Sequence, residues 1–419
     1  MSLTDKMSRS ERLLLVLLVA SVFINYIDRG NLSMAAPLLE KELALSPYQI
    51  GALLSAFFWT YSLMQLLGIA GWLADRFPVG MVFALGFLAW SVATVLTGFL
   101  FGLPSIYAAR LLLGVGESVS YPCYSKIFAT HVPQQHRGRA NALLDAGTKL
   151  GPALGTFLAG LLLVRLGWRV FFITLGLGSL LWLIPWLKYM PKTSASLASR
   201  PSELPSIREL LSQRSAWGSF MGIFCGNYFW YFLLTWIPIY LVRERTFSLQ
   251  QMANLTSVIF LVVAAATVMT GWISDRLIAR GWSVTRVRKT VVVVGLASAS
   301  SILPVAFVPS TTSSVALLIL ACLGYGVYAS NHWAIAQTLA GPLMAGRWTS
   351  VANGIANLAG IMAPWVAGFV VQRSGSSRSA FIVTAVVVGG GALVWGLGVG
   401  RIEPVPWRQH VTASPDLPR

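Results

Sequence analysis

The sequence has few charged residues for its length. Only 11% of its 419 residues are Asp, Glu, Lys or Arg, whereas 56% are hydrophobic and the mean hydropathy is +0.69. A water-soluble globule of this size needs far more polar surface, so the composition excludes that class. The three cysteines, Cys123, Cys225 and Cys322, are scattered over apolar stretches. Their positions exclude a disulfide framework and a cysteine metal cluster.

Long apolar runs dominate what remains. A bilayer core requires about 20 apolar residues per helix. Twelve such stretches are centred near residues 24, 60, 90, 115, 150, 178, 228, 260, 298, 326, 358 and 390. The first stretch is longer than the apolar part of a cleavable signal, and a second follows at once. We therefore predict an all-α membrane protein with twelve transmembrane helices.

One hexapeptide occurs twice. Residues 71–76 read Gly-Trp-Leu-Ala-Asp-Arg and residues 271–276 read Gly-Trp-Ile-Ser-Asp-Arg, each at the end of an apolar run. This duplication predicts two pseudo-symmetric six-helix halves, 1–188 and 216–401. A Ser- and Pro-rich stretch, 189–215, is predicted to link them in the cytoplasm, and 402–419 to form a disordered cytoplasmic tail. Repeats of this kind place a substrate between the halves, so the sequence indicates a transporter.

The basic residues indicate orientation. The chain has 31 Lys and Arg against 14 Asp and Glu, a net charge of +17. Most of the basic residues fall in alternate loops, which predicts both termini on the cytoplasmic side of the plasma (bacterial inner) membrane. The excess also attracts anionic membrane lipid. No soluble domain presents a basic face, so we expect no nucleic-acid partner. We also expect a monomer.

Charged side chains inside the apolar stretches are the strongest indication of mechanism. Each costs roughly 2.5–3.5 kcal/mol at the centre of a bilayer. Six occur in the first half, namely Asp28, Arg29, Arg110, Glu117, Asp145 and Lys149. Neighbouring residues point about 100° apart on a helix, so Asp28 and Arg29 face different partners, whereas residues 110 and 117 share one side. Asp145 and Lys149 have the spacing of a direct pair.

Two interpretations of these charges stay open. They either neutralise one another and lock helices together, or they bind a substrate and protons. In the second interpretation Glu117 is the first candidate proton carrier and Asp28 the second. Arg29 and Arg110 are then anchors for a carboxylate, because a guanidinium offers it two parallel donors. Tyr61 is a candidate aromatic lid or hydroxyl donor, the alternative being plain packing.

The second half offers uncharged polar groups instead. The tenth stretch contains Ser330, His332 and Trp333, and the eleventh contains Asn353 and Asn357 on one helix face. Such groups hydrogen-bond either the hydroxyls of a substrate or a neighbouring helix. We assign Ser330 and Asn353 to the substrate and leave Asn357 open. We find no metal-ligand set or cofactor motif, so we expect no cofactor beyond protons as the coupling ion.

The motifs taken together resemble the major facilitator superfamily over essentially the whole chain. Within it, they are similar to the anion:cation symporter family, which includes bacterial hexuronate and galactonate transporters. The segments that carry the second resemblance are Asn25-Tyr26-Ile27-Asp28-Arg29, Arg110 to Glu117, Tyr121-Pro122 and Asp145-Ala146-Gly147-Thr148-Lys149. The resemblance implies the major facilitator fold and uptake of a small organic anion, such as a sugar acid, together with protons.

The resemblance also implies roles for residues. Asp28 and Glu117 would carry protons, and Arg29, Arg110 and Tyr61 would lie near the carboxylate. The substrate site would further contain Thr148, Ser330, His332, Trp333 and Asn353. Lys149 departs from the sugar-acid members, and its extra cation would favour a second carboxylate or a phosphate-like group if Asp145 does not neutralise it. The Asp-Arg pairs of the two repeats, Asp75, Arg76, Asp275 and Arg276, would have structural or gating roles, and so would Asp145.

Other functions remain as alternatives. Gly147, Gly151, Pro152, Gly155 and Gly160 resemble the glycine-proline pattern of drug:proton antiporters. The Tyr-x-Asp-Arg and Gly-Glu segments also resemble a lipid exporter of the spinster type. A membrane enzyme or a receptor that binds without transport belongs to a different class. The sequence contains no hydrolase elbow, phosphate loop or signalling domain, so we predict that the protein is not an enzyme.

Overall fold

The computed structural model describes residues 9–131, 134–190 and 206–407. Within these ranges the chain forms fifteen α-helices and no β-strand. Those of the first part are α1 Arg9–Leu43, α2 Pro47–Leu66, α3 Ile69–Arg76, α4 Val79–Thr97, α5 Leu103–Ser118, α6 Ser120–His131 and α7 Gln134–Tyr189. The remainder are α8 Ile207–Leu211, α9 Arg214–Thr235, α10 Ile237–Arg243, α11 Leu249–Ala279, α12 Val284–Ala299, α13 Thr311–Ala329, α14 His332–Ser374 and α15 Arg378–Leu393.

Two short helices of other types extend this set. A 3-10 helix, Ser300–Ala306, continues α12, and a π-helix, Val394–Gly398, continues α15. All twelve predicted stretches are helical at their centres. By length and composition, eight described helices suffice to cross a membrane alone, or nine if α9 and α10, bent by 42°, form one span. The predicted all-α membrane fold is confirmed.

Glycine divides the two longest helices. In α7, Gly167 has φ 73°, and in α14, Gly341 has φ 62°, and both values lie in the left-handed region. Side chains with a Cβ rarely adopt that conformation, whereas glycine adopts it freely. Each of the two long helices is therefore two helical segments joined by a sharp turn, and the break at Gly167 separates the fifth and sixth predicted stretches.

A row of glycines brings α7 against α1. A Cβ placed at Gly151 would lie 2.9 Å from the Cβ of Tyr26, and one placed at Gly155 would lie 3.1 Å from Cγ1 of Ile27. Because neither glycine has a side chain, the two backbones approach closely. This glycine seam fixes the rotation of α1 about its axis, which determines where its polar residues point.

The segment after the π-helix is held against the bundle. The backbone N–H of Ile402 donates to Oγ1 of Thr285 at 2.9 Å, and that of Val405 donates to the carbonyl oxygen of Leu339 at 2.9 Å. The indole of Trp407 donates to the carbonyl oxygen of Ala340 at 2.9 Å. The anchored chain thus extends to residue 407, whereas the predicted disordered tail began at 402. Residues 408–419 lie outside the described part.

The predicted linker is described only at its end. Residues 191–205 lie outside the described part, and α8 follows them. The hydroxyl of Ser206 accepts a hydrogen bond from the backbone N–H of Glu209 at 3.1 Å, which caps the first turn of this helix.

The glycine seam gives a stability prediction. We expect Gly151→Ala to lower the melting temperature of the purified protein, because the new methyl group must push α1 away from α7. Gly178→Ala is the matched control, since a Cβ there meets no atom within 4 Å. Thermal unfolding in detergent measures both variants, and equal melting temperatures would show that the seam is not closely packed.

Candidate functional site

The polar residues of α1 are buried in the middle of the bundle. Asn25, Asp28 and Asn31 are at most 2% exposed, and Arg29 is 6% exposed. The glycine seam turns Tyr26 and Ile27 of α1 towards α7. Asp28 and Arg29 then contact different partners, as their adjacent positions on a helix predict. Asp28 accepts a hydrogen bond from the side chain of Asn31 at 3.1 Å, and Thr94 of α4 lies beside it.

Arg29 forms a buried ion pair with Glu117 of α5. Its Nε lies 3.0 Å from Oε2 of Glu117, and the two side chains are 3% and 0% exposed. Burying two charges is costly even when they are paired, because both lose their hydration. The spacing of Arg110 and Glu117 had indicated a shared helix face, but the partner of Glu117 could not be identified from it.

Aromatic rings surround the guanidinium of Arg29. Its central carbon lies 4.8 Å from the ring centroid of Tyr26, 5.3 Å from that of Phe57 and 4.7 Å from that of Tyr61. The faces of such rings attract a cation and offer no competing charge. This aromatic cage includes the predicted Tyr61, while Tyr26 and Phe57 had not been singled out as site residues.

Arg110 completes a group of four charges. Its side chain is buried on α5 and lies within electrostatic range of both Asp28 and Glu117. Its guanidinium also lies 5.9 Å from the ring centroid of Phe57. When all four groups are ionised, the charges of Asp28, Arg29, Arg110 and Glu117 sum to zero. The structure therefore brings the two predicted proton carriers and the two predicted anchors into one cluster, here called the charge cluster.

Several polar atoms of the charge cluster form no hydrogen bond to a described residue. They are Nη2 of Arg29, Oε1 of Glu117, Oδ2 of Asp28, Nε of Arg110 and the nearby Nδ2 of Asn25. Buried polar atoms in proteins are nearly always hydrogen-bonded. These three donors and two acceptors around the Arg29 and Glu117 pair are able to bind a small polar ligand.

The second half approaches the charge cluster through Tyr231 of α9. The ring of Tyr231 packs against Phe58 with centroids 4.5 Å apart, and Tyr231 lies within electrostatic range of Arg29. Its hydroxyl donates to Oδ1 of Asn357 at 2.7 Å, and Nδ2 of Asn357 donates to the carbonyl oxygen of Asn353 at 2.8 Å. Asn357 thus bonds a neighbouring helix, and it links the predicted Asn353 to the first half.

Sequence reasoning did not find Tyr231. It lies in an aromatic run in which nearly every residue is buried, from Tyr228 to Thr235. Such a run shows no periodicity that would single out one ring. The four-residue spacing of Asn353 and Asn357 was the available signal for this part of the site.

Ser330, His332 and Trp333 lie where the tenth stretch is broken between α13 and α14. The hydroxyl of Ser330 donates to the carbonyl oxygen of Val327 at 2.7 Å. The imidazole of His332 stacks on Tyr328 with centroids 4.9 Å apart, and Trp333 lies beside it at 5.2 Å. The amide of Asn331 donates to Ser274, inside the second repeat, at 3.0 Å. These groups are thus tied to α13 and α11.

The other predicted residues are placed as follows. Thr148 is buried on α7, three residues before Gly151 of the glycine seam. Arg76, Asp275 and Arg276 are exposed, and the guanidinium of Arg276 lies 4.3 Å from the ring centroid of Trp272. The side chains of Asp75, Asp145 and Lys149 lie outside the described part, so a pair between the last two stays a prediction.

Comparison with known proteins supplies a family. The family model of the Major Facilitator Superfamily matches residues 18–364. A probable galactarate/D-glucarate transporter of Escherichia coli (strain K12) is 32% identical over 403 residues, 88% of this chain and 90% of its own. A probable sulfoacetate transporter of Cupriavidus necator is 31% identical over 92% of this chain and 93% of its own. A D-galactonate transporter of Escherichia coli O6:H1 is 29% identical, and the match covers 96% of this chain and 98% of that transporter's length.

A solved structure shares the architecture. It is a bacterial homolog of the human lysosomal transporter Spinster in an inward-facing and unoccupied conformation, with a TM-score of 0.80. The two chains are 18% identical, and the match covers 94% of this chain and 98% of the other. At that identity the likeness concerns the fold alone.

The buried ion pair gives a second stability prediction. Removing one member of a buried pair costs about 3–5 kcal/mol, because the other charge is left uncompensated. We therefore expect Glu117→Gln to lower the melting temperature clearly. We expect the double variant Arg29→Gln with Glu117→Gln to lower the melting temperature by less than the sum of the two single changes. Thermal unfolding in detergent measures this cycle.

The control for this cycle is an exposed pair. Arg169 and Glu42 lie 2.7 Å apart with side chains 27% and 45% exposed, and such pairs contribute about 0–1 kcal/mol. The indole of Trp168 also donates to Glu42, and glutamine keeps an oxygen that can accept this bond, so Glu42→Gln should change the melting temperature little. Additive effects of the Arg29 and Glu117 variants would contradict direct coupling of the two charges.

Proposed function

The chain belongs to the major facilitator superfamily, and we propose that it takes up a small organic anion, such as a sugar acid or a hydroxycarboxylate, together with protons by alternating access. It is an integral membrane transporter and not an enzyme. The relatives described above are named as transporters, or probable transporters, of small organic anions, namely galactarate, D-glucarate, D-galactonate and sulfoacetate. These names support the substrate class, and the charge cluster supports the coupling to protons.

The observation that carries the proposal is the buried pair of Arg29 and Glu117. Neither Nη2 of Arg29 nor Oε1 of Glu117 forms a hydrogen bond to a described residue, although the two side chains are in contact at 3.0 Å. A substrate carboxylate has the same shape and charge as the carboxylate of Glu117. It can therefore take the place of Glu117 beside Arg29, where the guanidinium fork holds it by two hydrogen bonds.

Proton coupling follows from this exchange. Once Glu117 has lost Arg29, its charged form stands in an apolar surrounding without a partner, which is strongly unfavourable. Uptake of a proton removes that cost, so substrate binding and protonation of Glu117 favour each other. Asp28 is the second proton carrier in this proposal, because it shares the electrostatic field of Arg110 with Glu117. Protons are the only coupling ion, and no cofactor is needed.

The uncharged groups of the second half are proposed to recognise hydroxyls. Asn353 is linked through Asn357 and Tyr231 to the surroundings of Arg29. Ser330, His332, Trp333 and Thr148 are proposed to complete the substrate site when the halves rearrange. Lys149 would then hold a second carboxylate, as an aldarate requires, provided that Asp145 does not neutralise it.

The remaining parts of the proposal concern the cell. Both termini face the cytoplasm, the protein resides in the plasma (bacterial inner) membrane, and it acts as a monomer. The structural likeness to a Spinster homolog keeps a lipid exporter as an alternative. A drug antiporter is the second alternative, and the uptake experiment below distinguishes both from an anion symporter. Two buried arginines favour an anion over a lipophilic cation.

Uptake into proteoliposomes tests the function. The panel contains hexuronates, aldonates, aldarates, tartrate and aromatic acids, presented under an inward proton gradient. We expect at least one sugar acid to accumulate, and a protonophore to abolish its accumulation. A preference for aldarates over aldonates would support a second cationic contact at Lys149. Absence of uptake together with expulsion of lipophilic cations or lipids would contradict the proposal and favour an exporter.

The role of Glu117 has its own test. Glutamine keeps the shape of the side chain but carries no exchangeable charge. We expect Glu117→Gln to retain counterflow exchange of substrate while losing accumulation driven by a proton gradient. Glu42→Gln alters the contacts of Glu42 with Arg169 and Trp168 and leaves the charge cluster unchanged, so this variant should accumulate substrate as the wild type does. Full accumulation by Glu117→Gln would show that another group carries the coupling proton.

A further inference from the structure

A cavity of about 470 Å³ that is open to solvent lies at the beginning of α12, away from the charge cluster. Its walls come from the first two turns of that helix and from the segment that follows the π-helix. Four charged side chains line it, namely Arg286, Lys289, Arg401 and Glu403. The hydroxyl groups of Ser283, Thr285 and Thr290 line the same space. The cavity therefore combines three cations with a single carboxylate.

These charges do not neutralise one another. Neither the guanidinium of Arg286 nor that of Arg401 has a hydrogen bond or an ion pair to any described residue, and Glu403 has no ion pair there either. Lys289 is fixed at the wall, because its Nζ donates to the carbonyl oxygen of Val399 at 2.7 Å. Arg286 and Arg401 are exposed, so solvent weakens the repulsion among the three cations but does not remove it, and an anion between them relieves the remainder. The lining thus favours an anionic ligand with several oxygen acceptors.

The neighbouring Arg288 serves a different purpose. It faces the bundle, where its Nη1 donates to the carbonyl oxygen of Ala334 at 3.1 Å and to Oγ1 of Thr338 at 2.8 Å. The two cations on either side of it, Arg286 and Lys289, line the cavity instead. One face of α12 is thus structural, and the other presents its cations to the space outside the bundle.

An exposed apolar surface continues from the cavity along the same helices. Residues four apart share a helix face, and Val294, which is 51% exposed, lies four residues after Thr290. At the end of α15 and in the π-helix that follows it, Leu393 and Leu397 are 65% and 75% exposed. A Cβ placed at Gly396 would lie 3.8 Å from Cγ2 of Val293, so these two stretches pack side by side. A ligand in the cavity has an apolar wall next to its charged one.

We propose that this cavity binds the phosphate headgroup of an anionic phospholipid from the adjoining leaflet, with its acyl chains on the surface of Val294, Leu393 and Leu397. The three cations and the hydroxyl groups can pair with and hydrogen-bond a phosphate. The apolar wall can pack against the acyl chains of a lipid, whereas free phosphate gains nothing from it. The proposal does not depend on the identity of the transported substrate, because none of these residues belongs to the charge cluster.

Binding of defined lipids to the purified full chain tests the proposal. Native mass spectrometry in detergent compares phosphatidylglycerol with phosphatidylcholine of the same acyl chains. We expect tighter binding of phosphatidylglycerol, and a loss of about fivefold in its affinity for each cation removed by Arg286→Gln and Arg401→Gln. Glu403→Gln should have the opposite effect and tighten binding, because it removes the one carboxylate from the cavity.

The control is Arg280→Gln. Arg280 is an exposed basic residue just after α11 that does not line the cavity, so its loss should leave lipid affinity unchanged. Equal binding of the two lipids by the wild type would overturn the proposed site. Unchanged binding in the variant that combines Arg286→Gln with Arg401→Gln would also overturn it. Competition by inorganic phosphate that displaces phosphatidylglycerol at equal concentration would overturn the lipid as the ligand, since the acyl chains would then contribute nothing.

Discussion

A charge buried in an apolar bundle has to be balanced within a few ångströms, and in this protein that constraint falls on Arg29. Its guanidinium is always positive, its side chain is only 3% exposed, and among the described residues its hydrogen-bonded counter-charge is Glu117 at 3.0 Å. The rest of the first half is arranged to allow this contact. The glycine seam sets the rotation of α1, and three aromatic rings enclose the cation without competing for it. The other two members of the cluster, Asp28 and Arg110, keep its formal sum at zero.

The two halves divide the chemistry between them. The first half supplies buried charges, which set the sign of a ligand, whereas the described spans of the second half supply hydroxyl and amide groups, which are suited to its shape and hydroxyl pattern. The contact between these contributions is specific. Tyr231 lies against Phe58 of the first half and bonds Asn357, which in turn bonds Asn353. A rearrangement of the halves therefore alters the surroundings of Arg29 and of Asn353 together.

The sequence was sufficient for the fold and for part of the candidate site. Twelve apolar runs are so long that their helical centres are unambiguous, and charges such as Asp28 and Glu117 stand out because apolar helices rarely contain them. The pairing of Arg29 with Glu117 could not be predicted, since it depends on how α1 is rotated against α7. Tyr231 was hidden in a run of buried aromatic residues. The segment 402–407 has the proline-rich composition of a disordered tail, but its backbone finds partners on α12 and α14 that no composition reveals.

That anchored segment has a consequence for the order in which the protein is assembled during synthesis. Val405 and Trp407 bond the backbone of Leu339 and Ala340, just before the turn at Gly341, and Trp407 also packs near Trp348 beyond it, with ring centroids 6.3 Å apart. The ribosome makes this segment after every helix that it contacts. The turn at Gly341 is therefore synthesised before its final contacts exist, and its packing is completed only when residue 407 has left the ribosome.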